Sequence, residues 1–286
     1  MKGGCNMTGS GTEQDPYIVS NFAEFDTVRN ISYNTYIEYS NDEVDFNDIQ
    51  PQGYDDRFIL VGHITMTNII WKNFTSRADD AISFGGTTQG IYLECNNCKI
   101  INAYHITSAS EKYFFISRGG TTIFNDCEIS YRQDVGNVGG YAGLLRDAGG
   151  DQTFSACAIT IKSYGNKKNT WRLADGGDFE FCNINMDVQA NKFDYPLNGF
   201  MCWYSGKIDI NTATSNNRSG GKGNLVWDVE ITQPITLTAT SLYTFLSIYN
   251  SDKATITATD NNMLVGVTSA QLKDTSYLHS IGFPAR

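Results

Sequence analysis

A short pattern that ends in Cys-x-Ile occurs four times in this chain and constrains its fold more than any other feature. The four cysteines are spaced by 29, 30 and 25 residues: Cys98, Cys127, Cys157 and Cys182. A soft or aromatic residue lies three positions before each of them: Cys95, Phe124, Phe154 and Phe179. The same residues at the same phase, at a period of roughly 20 to 50 residues, are typical of a solenoid.

Apolar residues alternate at period two around each cysteine, which indicates short strands separated by polar turns. We therefore predict an all-β fold, a right-handed parallel β-helix in which the cysteines form one inward ladder and the isoleucines form the next column. The same register is expected to continue, for eight coils in total, at these residues: Phe74 with Ile69, Ile208 with Gly206, Ile231 with Val229, and Ile256 with Ala254. The alternative is a β-sandwich or jelly roll, in which the repeated residue would be a coincidence.

The pattern divides the chain into three parts. We expect an N-terminal cap and acidic loop at residues 1–57, coils at 58–269, and a C-terminal cap or interaction tail at 270–286. One short helix is expected from Phe22 to Arg29, with Ser20-Asn21 as its N-cap.

Charge and composition exclude several classes of partner. The chain has 21 Lys and Arg against 31 Asp and Glu, a net charge of −10, whereas nucleic-acid binding requires a basic surface. No stretch reaches the roughly 18 apolar residues of a membrane span. The first residues do not resemble a secretory leader, and seven cysteines fit a reducing site of synthesis better than a disulfide framework. We therefore expect no nucleic acid, no membrane and free buried thiols.

The segment Gly9-Ser10-Gly11-Thr12-Glu13-Gln14-Asp15-Pro16-Tyr17-Ile18-Val19 resembles the G-x-G-T-x-x-D-P-Y-x-I opening of right-handed β-helix domains of the pectate-lyase-like superfamily. Its two glycines allow a tight turn, and Asp-Pro favours turn initiation. The resemblance implies that this segment covers the N-terminal end of the helix. Similar openings occur in bacteriophage fibre and tailspike-type proteins, in bacterial surface proteins and in polysaccharide-degrading enzymes.

The best candidate for catalysis is the pair Asp79 and Asp80. It is similar to the G-D-D-x-I strand of polygalacturonase-like hydrolases, and glycoside hydrolysis requires two carboxylates near one bond. The other motifs of that family are missing, so the ordinary reading is a strand that begins after a turn.

The sequence contains two partial metal-binding patterns, and neither predicts a metal site. A pectate-type calcium site would use Asp126, Glu128 and Asp134 beside Arg132, but six or more converging oxygens are required. Cys95-x-x-Cys98 with His105 lacks the fourth ligand of a structural zinc site. We expect no metal and no cofactor.

Aromatic residues supply the candidate glycan site. We expect Trp171 and Trp203, with Asp175 nearby, to form a platform on which sugars stack. Several tyrosines also fall outside the inward columns by sequence: Tyr33, Tyr36, Tyr39, Tyr164, Tyr195 and Tyr204.

The resemblance and the absence of a complete catalytic set favour a structural protein of a bacteriophage virion, a fibre, spike or decoration component. The expected partners are further copies of the chain, as a trimer, other virion proteins and a host surface glycan. The alternative is a polysaccharide lyase or glycoside hydrolase on the same scaffold. A bacterial adhesin is a third class, for which an anchoring or export element is expected. Fold alone does not decide between them.

Overall fold

The computed structural model describes residues 7–86, 90–108, 110–136, 139–147, 149–165, 167–194, 198–216, 220–238, 246–259 and 263–284. Parallel strands wind into a β-solenoid of about six turns, which confirms the predicted parallel β-helix. Its right-handed sense remains a prediction. Cys5 and Tyr195 lie outside the described residues.

The solenoid has three sides, which we call face one, face two and face three. Face one consists of β1 (Tyr17–Val19), β2 (Tyr36–Ser40), β5 (Gly62–Thr67), β9 (Ile91–Asn96), β12 (Gly120–Asn125), β15 (Asp151–Ser155), β18 (Asp178–Glu180), β21 (Asn198–Phe200) and β24 (Gly220–Gly223). Face two consists of β3 (Glu43–Asp45), β6 (Ile70–Lys72), β7 (Thr75–Ser76), β10 (Lys99–Thr107), β13 (Glu128–Val135), β16 (Ala158–Gly165), β19 (Asn183–Ala190), β22 (Trp203–Ile210), β25 (Val226–Ile231), β27 (Ser247–Asn250) and β29 (Leu264–Val267).

Face three consists of β4 (Phe58–Leu60), β8 (Ile82–Phe84), β11 (Glu111–Ser117), β14 (Gly140–Asp147), β17 (Asn169–Asp175) and β20 (Lys192–Asp194). A further sheet of three strands begins next to β20: β23 (Thr214–Asn216), β26 (Ile235–Thr238) and β28 (Ile256–Thr259). The coils that have strands on all three faces run from face one through a tight turn to face two, and then to face three.

The cysteine ladder is confirmed at the turn between faces one and two. Ile100, Ile129, Ile159 and Ile184 pair in register, and every described cysteine is buried and free. Cys157 Sγ lies 3.3 Å from the carbonyl oxygen of Ser155 and 3.4 Å from that of Phe124, one coil earlier, and either oxygen can accept its single S–H. A thiol suits this corner because it is small and apolar yet weakly bonds carbonyl groups at the turn.

The predicted register is wrong at both ends of the ladder. Tyr204 follows Ile184, which places Cys202 in the ladder only 20 residues after Cys182. Ile208 pairs instead with Val188, so Gly206 is not in the cysteine column. The sequence spacing misled because this coil is shorter than those before it.

The other two extensions of the register also need correction. Trp71 pairs with Ile100, and therefore Ile69 occupies the cysteine column and Phe74 lies three positions further along. Ile256 pairs with Ile235 in the three-stranded sheet and not on face two. The pairing of Ile208 with Ile231 is correct.

The cysteine column extends from Asp42 to Leu225, and the residue before each of its positions adopts a left-handed backbone conformation. These residues have φ between 50° and 57°: Asn41, Asn68, Asn97, Asp126, Ala156, Phe181, Met201 and Asn224. Asparagine tolerates this region better than other non-glycine residues. The first three also form a chain of amide hydrogen bonds, Asn97 to Asn68 at 2.8 Å and Asn68 to Asn41 at 2.9 Å.

A short helix covers the N-terminal end of the solenoid. Helix α1 (Phe22–Val28) begins after the N-cap Asn21, as predicted, and buries Phe22, Phe25 and Val28. Phe25 stacks on Tyr39 with ring centroids 4.6 Å apart. Strand β1 pairs with β2 and thereby occupies the edge of face one. A second helix, α2 (Phe46–Ile49), follows β3.

The coils begin earlier than predicted. Strands β2 and β3 already belong to faces one and two, so the first coil starts at Tyr36 and not at residue 58. The acidic residues Glu43 and Asp45 lie on β3 rather than in a loop. Their charge had suggested a loop, but an outward position on a strand accepts charged residues equally well.

The C-terminal tail packs against the outer surface of face two. It contains a 3₁₀ helix, η1 (Gln271–Lys273), and α3 (Thr275–Ser280). A second apolar cluster, separate from the interior core, joins tail and face: Val226, Ile248, Val267, Leu272 and Phe283, with Trp203, Leu246, Val265, Tyr277, Leu278 and Ile281 partly buried. The tail thus lies along the side of the last coils.

Candidate functional site

The two predicted catalytic aspartates do not form a pair. Asp79 is exposed, whereas Asp80 is 1% exposed. The Asp80 carboxylate accepts from Arg57 Nη2 at 3.1 Å and from the backbone amide of Tyr113 at 3.3 Å. Burial raises its pKa, and Arg57 is the strongest influence that opposes this. Adjacent residues point to opposite sides, so no shared substrate meets both carboxylates.

The two tryptophans predicted to form a sugar-binding platform do not lie together on an exposed surface. Trp171 is 1% exposed inside the solenoid and stacks on Phe193 at 5.5 Å, so no face of its ring is available to a sugar. Trp203 packs within the apolar cluster under the C-terminal tail. The side chain of Asp175 lies outside the described part of the chain. Tyr39 and Tyr204 are also buried.

Two of the three carboxylates in the candidate calcium site form ion pairs with basic side chains. Glu128 pairs with Lys99 at 3.2 Å, and Asp134 pairs with Arg132 at 2.9 Å. Within the described ranges, no three His, Cys, Asp or Glu side chains are arranged to hold a metal ion.

His105 has a structural environment. It is fully buried, with Nε2 2.8 Å from the carbonyl oxygen of Ala78 and Nδ1 3.1 Å from the amide nitrogen of Gln133. A carbonyl can only accept and an amide NH₂ can only donate, which fixes the neutral tautomer with the proton on Nε2. Burial is the main cause that lowers the pKa of His105 to about 4.

A cleft on the outer surface of face one is the best candidate for binding. Tyr36, His63 and Tyr92 occupy the same outward position on β2, β5 and β9. Their rings stack, with centroids 4.3 Å apart for Tyr36 and His63 and 6.0 Å apart for His63 and Tyr92. Tyr33 lies against His63 at 4.8 Å. We call these four residues the aromatic ladder.

The cleft beside the aromatic ladder has a volume of about 150 Å³. Glu13 and Pro16 from the opening turn form one side, and Glu38 and Thr65 line it next to the rings. The Tyr92 hydroxyl donates to Glu94 at 3.1 Å, and the Asn96 amide donates to the same carboxylate at 3.0 Å. Apolar rings beside oriented oxygen acceptors can bind the C–H faces and the hydroxyl groups of a sugar.

Charge is distributed differently on faces one and two. From β1 to β18, no outward residue of face one is Lys or Arg, and five are acidic: Glu38, Glu94, Asp151, Asp178 and Glu180. On face two, acids pair with bases between neighbouring strands, such as Lys99 with Glu128 at 3.2 Å and Lys207 with Glu230 at 2.6 Å. Within the described ranges, Glu38 and Glu94 form no ion pair.

The sequence predicts that Tyr33 and Tyr36 lie outside the inward columns, but it does not predict the cleft beside them. Tyr36, His63 and Tyr92 are separated by 27 and 29 residues, which matches the coil spacing, but they are not the same residue type. Extending the coil register back to Tyr36 would have aligned them.

No family model, curated protein or solved structure matches this chain. No helix in the described ranges is both long and apolar enough to span a membrane.

Proposed function

We propose that this protein is a glycan-binding structural protein, a fibre, spike or decoration component of a bacteriophage virion. The observation that carries the binding role is the aromatic ladder with its adjacent carboxylates on an outward, regular surface. The virion assignment draws on the resemblance of the opening segment Gly9–Val19 to β-helix domains of the pectate-lyase-like superfamily. Trimeric association and contacts with other virion proteins are part of the same proposal.

The binding role is tested by replacing one ring of the aromatic ladder. Tyr36→Ala should weaken binding to the recognised glycan about three- to tenfold, since an aromatic contact contributes roughly 0.5–1.5 kcal/mol. Tyr164→Ala is the matched control, because Tyr164 is an outward tyrosine on face two that bonds Asp187. Binding is measured on a panel of bacterial surface polysaccharides, and circular dichroism confirms that both variants fold. An equal loss of glycan affinity in both variants, or the lack of binding to any polysaccharide, would contradict the proposal.

A polysaccharide-degrading enzyme is the second candidate, and the environment of Asp80 favours it. A buried carboxyl with a raised pKa, close to several arginines, is a feature of many active sites. Arg118 and Arg146 act on the Asp80 charge together with Arg57. New reducing or unsaturated ends that disappear in Asp80→Asn, with the fold intact, would establish this function in place of the first.

A further inference from the structure

The charge around the aromatic ladder bears on which sugars the cleft accepts. Glu13 and Glu38 line the cleft and Glu94 is fixed beside Tyr92, while the outward positions of face one from β1 to β18 contain His63 but no Lys or Arg. A uronic or sialic acid placed there would meet like charges with no Lys or Arg to neutralise it. The cleft is therefore unsuited to acidic glycans.

A sugar with a free amine would instead be attracted to the carboxylates of the cleft. An ammonium group would donate charge-assisted hydrogen bonds to Glu38, which forms no ion pair within the described ranges. The same cation is attracted to the faces of tyrosine rings such as Tyr36. Acetylation of the amine removes both interactions while it leaves the sugar ring unchanged.

The strand arrangement favours a polymer over a single sugar. Tyr36, His63 and Tyr92 lie on three successive strands, and neighbouring strands in a sheet are about 4.8 Å apart. Glu38, Thr65 and Glu94 form the adjacent column on the same strands. Two carboxylates, on β2 and β9, thus lie beside three rings that follow the axis from β2 to β9.

We infer that the cleft selects polymers of amino sugars whose amines are free, in preference to their N-acetylated and acidic counterparts. This inference rests on the proposed glycan-binding function. It adds a chemical class of ligand, a cationic polysaccharide, that the aromatic ladder alone does not specify.

The test compares trimers of β-1,4-linked glucosamine, of N-acetylglucosamine and of galacturonic acid, by calorimetry at pH 6 in low and high salt. The free-amine trimer should bind up to about fivefold more tightly than the N-acetylated one, the upper end of the effect of one exposed charge interaction. That advantage should shrink in high salt because the charges are screened. The galacturonic acid trimer should not bind.

Two variants separate the outcomes. Glu38→Gln should bring the affinity ratio of the free-amine to the N-acetylated trimer towards one. Glu180→Gln, on the same face but remote from the cleft, should leave that ratio unchanged. Equal or tighter binding of the N-acetylated or acidic trimer would overturn this inference and leave glycan binding intact. Binding of none of the trimers, nor of any polysaccharide in the panel, would remove the proposed function itself.

Discussion

Ala156 and Phe181 are held in a backbone conformation that their side chains do not favour. Their φ angles are 54° and 55°, and they share a column with asparagines that adopt the same conformation. A left-handed residue other than Gly, Asn or Asp costs roughly 1–2 kcal/mol. The column is maintained because the ladder residue that follows, such as Cys157 or Cys182, must turn into the core.

Replacing Ala156 by asparagine should therefore stabilise the protein. We expect Ala156→Asn to raise the free energy of unfolding by about 0.5–1 kcal/mol, since asparagine tolerates positive φ. Ala158 is the matched control: it is also exposed and lies two residues later on β16. Ala158→Asn should destabilise slightly, because asparagine is disfavoured in strands. Urea unfolding measures the change in the free energy of unfolding for both variants. A change of the same sign in both would contradict the explanation.

His105 should make the protein sensitive to acid. Its folded pKa of about 4 lies below the unfolded value of about 6.5. A base whose pKa is lowered by folding contributes stability that is present above pH 6.5 and is lost as the pH falls towards 4. The loss amounts to roughly 3 kcal/mol over that window.

Urea unfolding at pH 7, 5.5 and 4 measures this effect. Wild-type protein and His279→Gln should lose about 3 kcal/mol more between pH 7 and pH 4 than His105→Gln does. His279 lies in α3 of the tail and is a control for removal of a histidine. The same pH dependence in all three proteins would mean that His105 is not held neutral.

At the scale of elements, coils with a repeated residue type could be predicted from the sequence and other coils could not. Cys98 to Cys182 mark four successive coils because the same slot at the turn holds a cysteine in each of them. Where Trp71 or Tyr204 fills the isoleucine column, the type changes and the spacing alone gave the wrong register. The cleft was missed for the same reason, since nothing repeats at Tyr36 and His63. The burial of Trp171 could not be predicted from the sequence either, because tryptophan occurs both in cores and on sugar-binding surfaces.

The ladder predicts how the thiols react. In the folded protein Cys98, Cys127, Cys157, Cys182 and Cys202 should resist alkylation, and all should react after denaturation, because buried thiols rarely form the reactive thiolate. Cys127→Ala should cost about 1 kcal/mol, since it removes one sulfur atom from a packed column. Labelling followed by peptide mass spectrometry measures this. Rapid labelling of these cysteines in the native protein would contradict the burial.

At the scale of the whole molecule, faces one and two differ in the charges that they present to a partner. The outward positions of face one from β1 to β18 include acidic residues but no Lys or Arg, face two carries ion pairs such as Lys99 with Glu128, and the tail covers the apolar end of face two. A partner of either charge gains little from surface ion pairs that are already formed. Binding of a cationic ligand is therefore expected on face one rather than on face two.

Removal of the tail should expose an apolar strip. A protein that ends at residue 269 loses Leu272 and Phe283, which cover Val226, Ile248 and Val267. We expect this variant to bind a hydrophobic dye and to self-associate, since exposed apolar patches favour association. Light scattering and dye fluorescence measure both effects, with Lys273→Ala as a control that leaves the tail in place. A monomeric, dye-free truncated protein would show that the tail does not protect the strip.

The sideways position of the tail also has a mechanical consequence. Hydrogen bonds between coils run along the axis, so a pull on an uncovered end strand would peel one coil at a time. The tail instead contacts Val226 on β25, Ile248 on β27 and Val267 on β29. Tension applied at the C-terminus must first shear Leu272 and Phe283 off three strands together. An axial load is thereby shared among three coils before any of them unwinds.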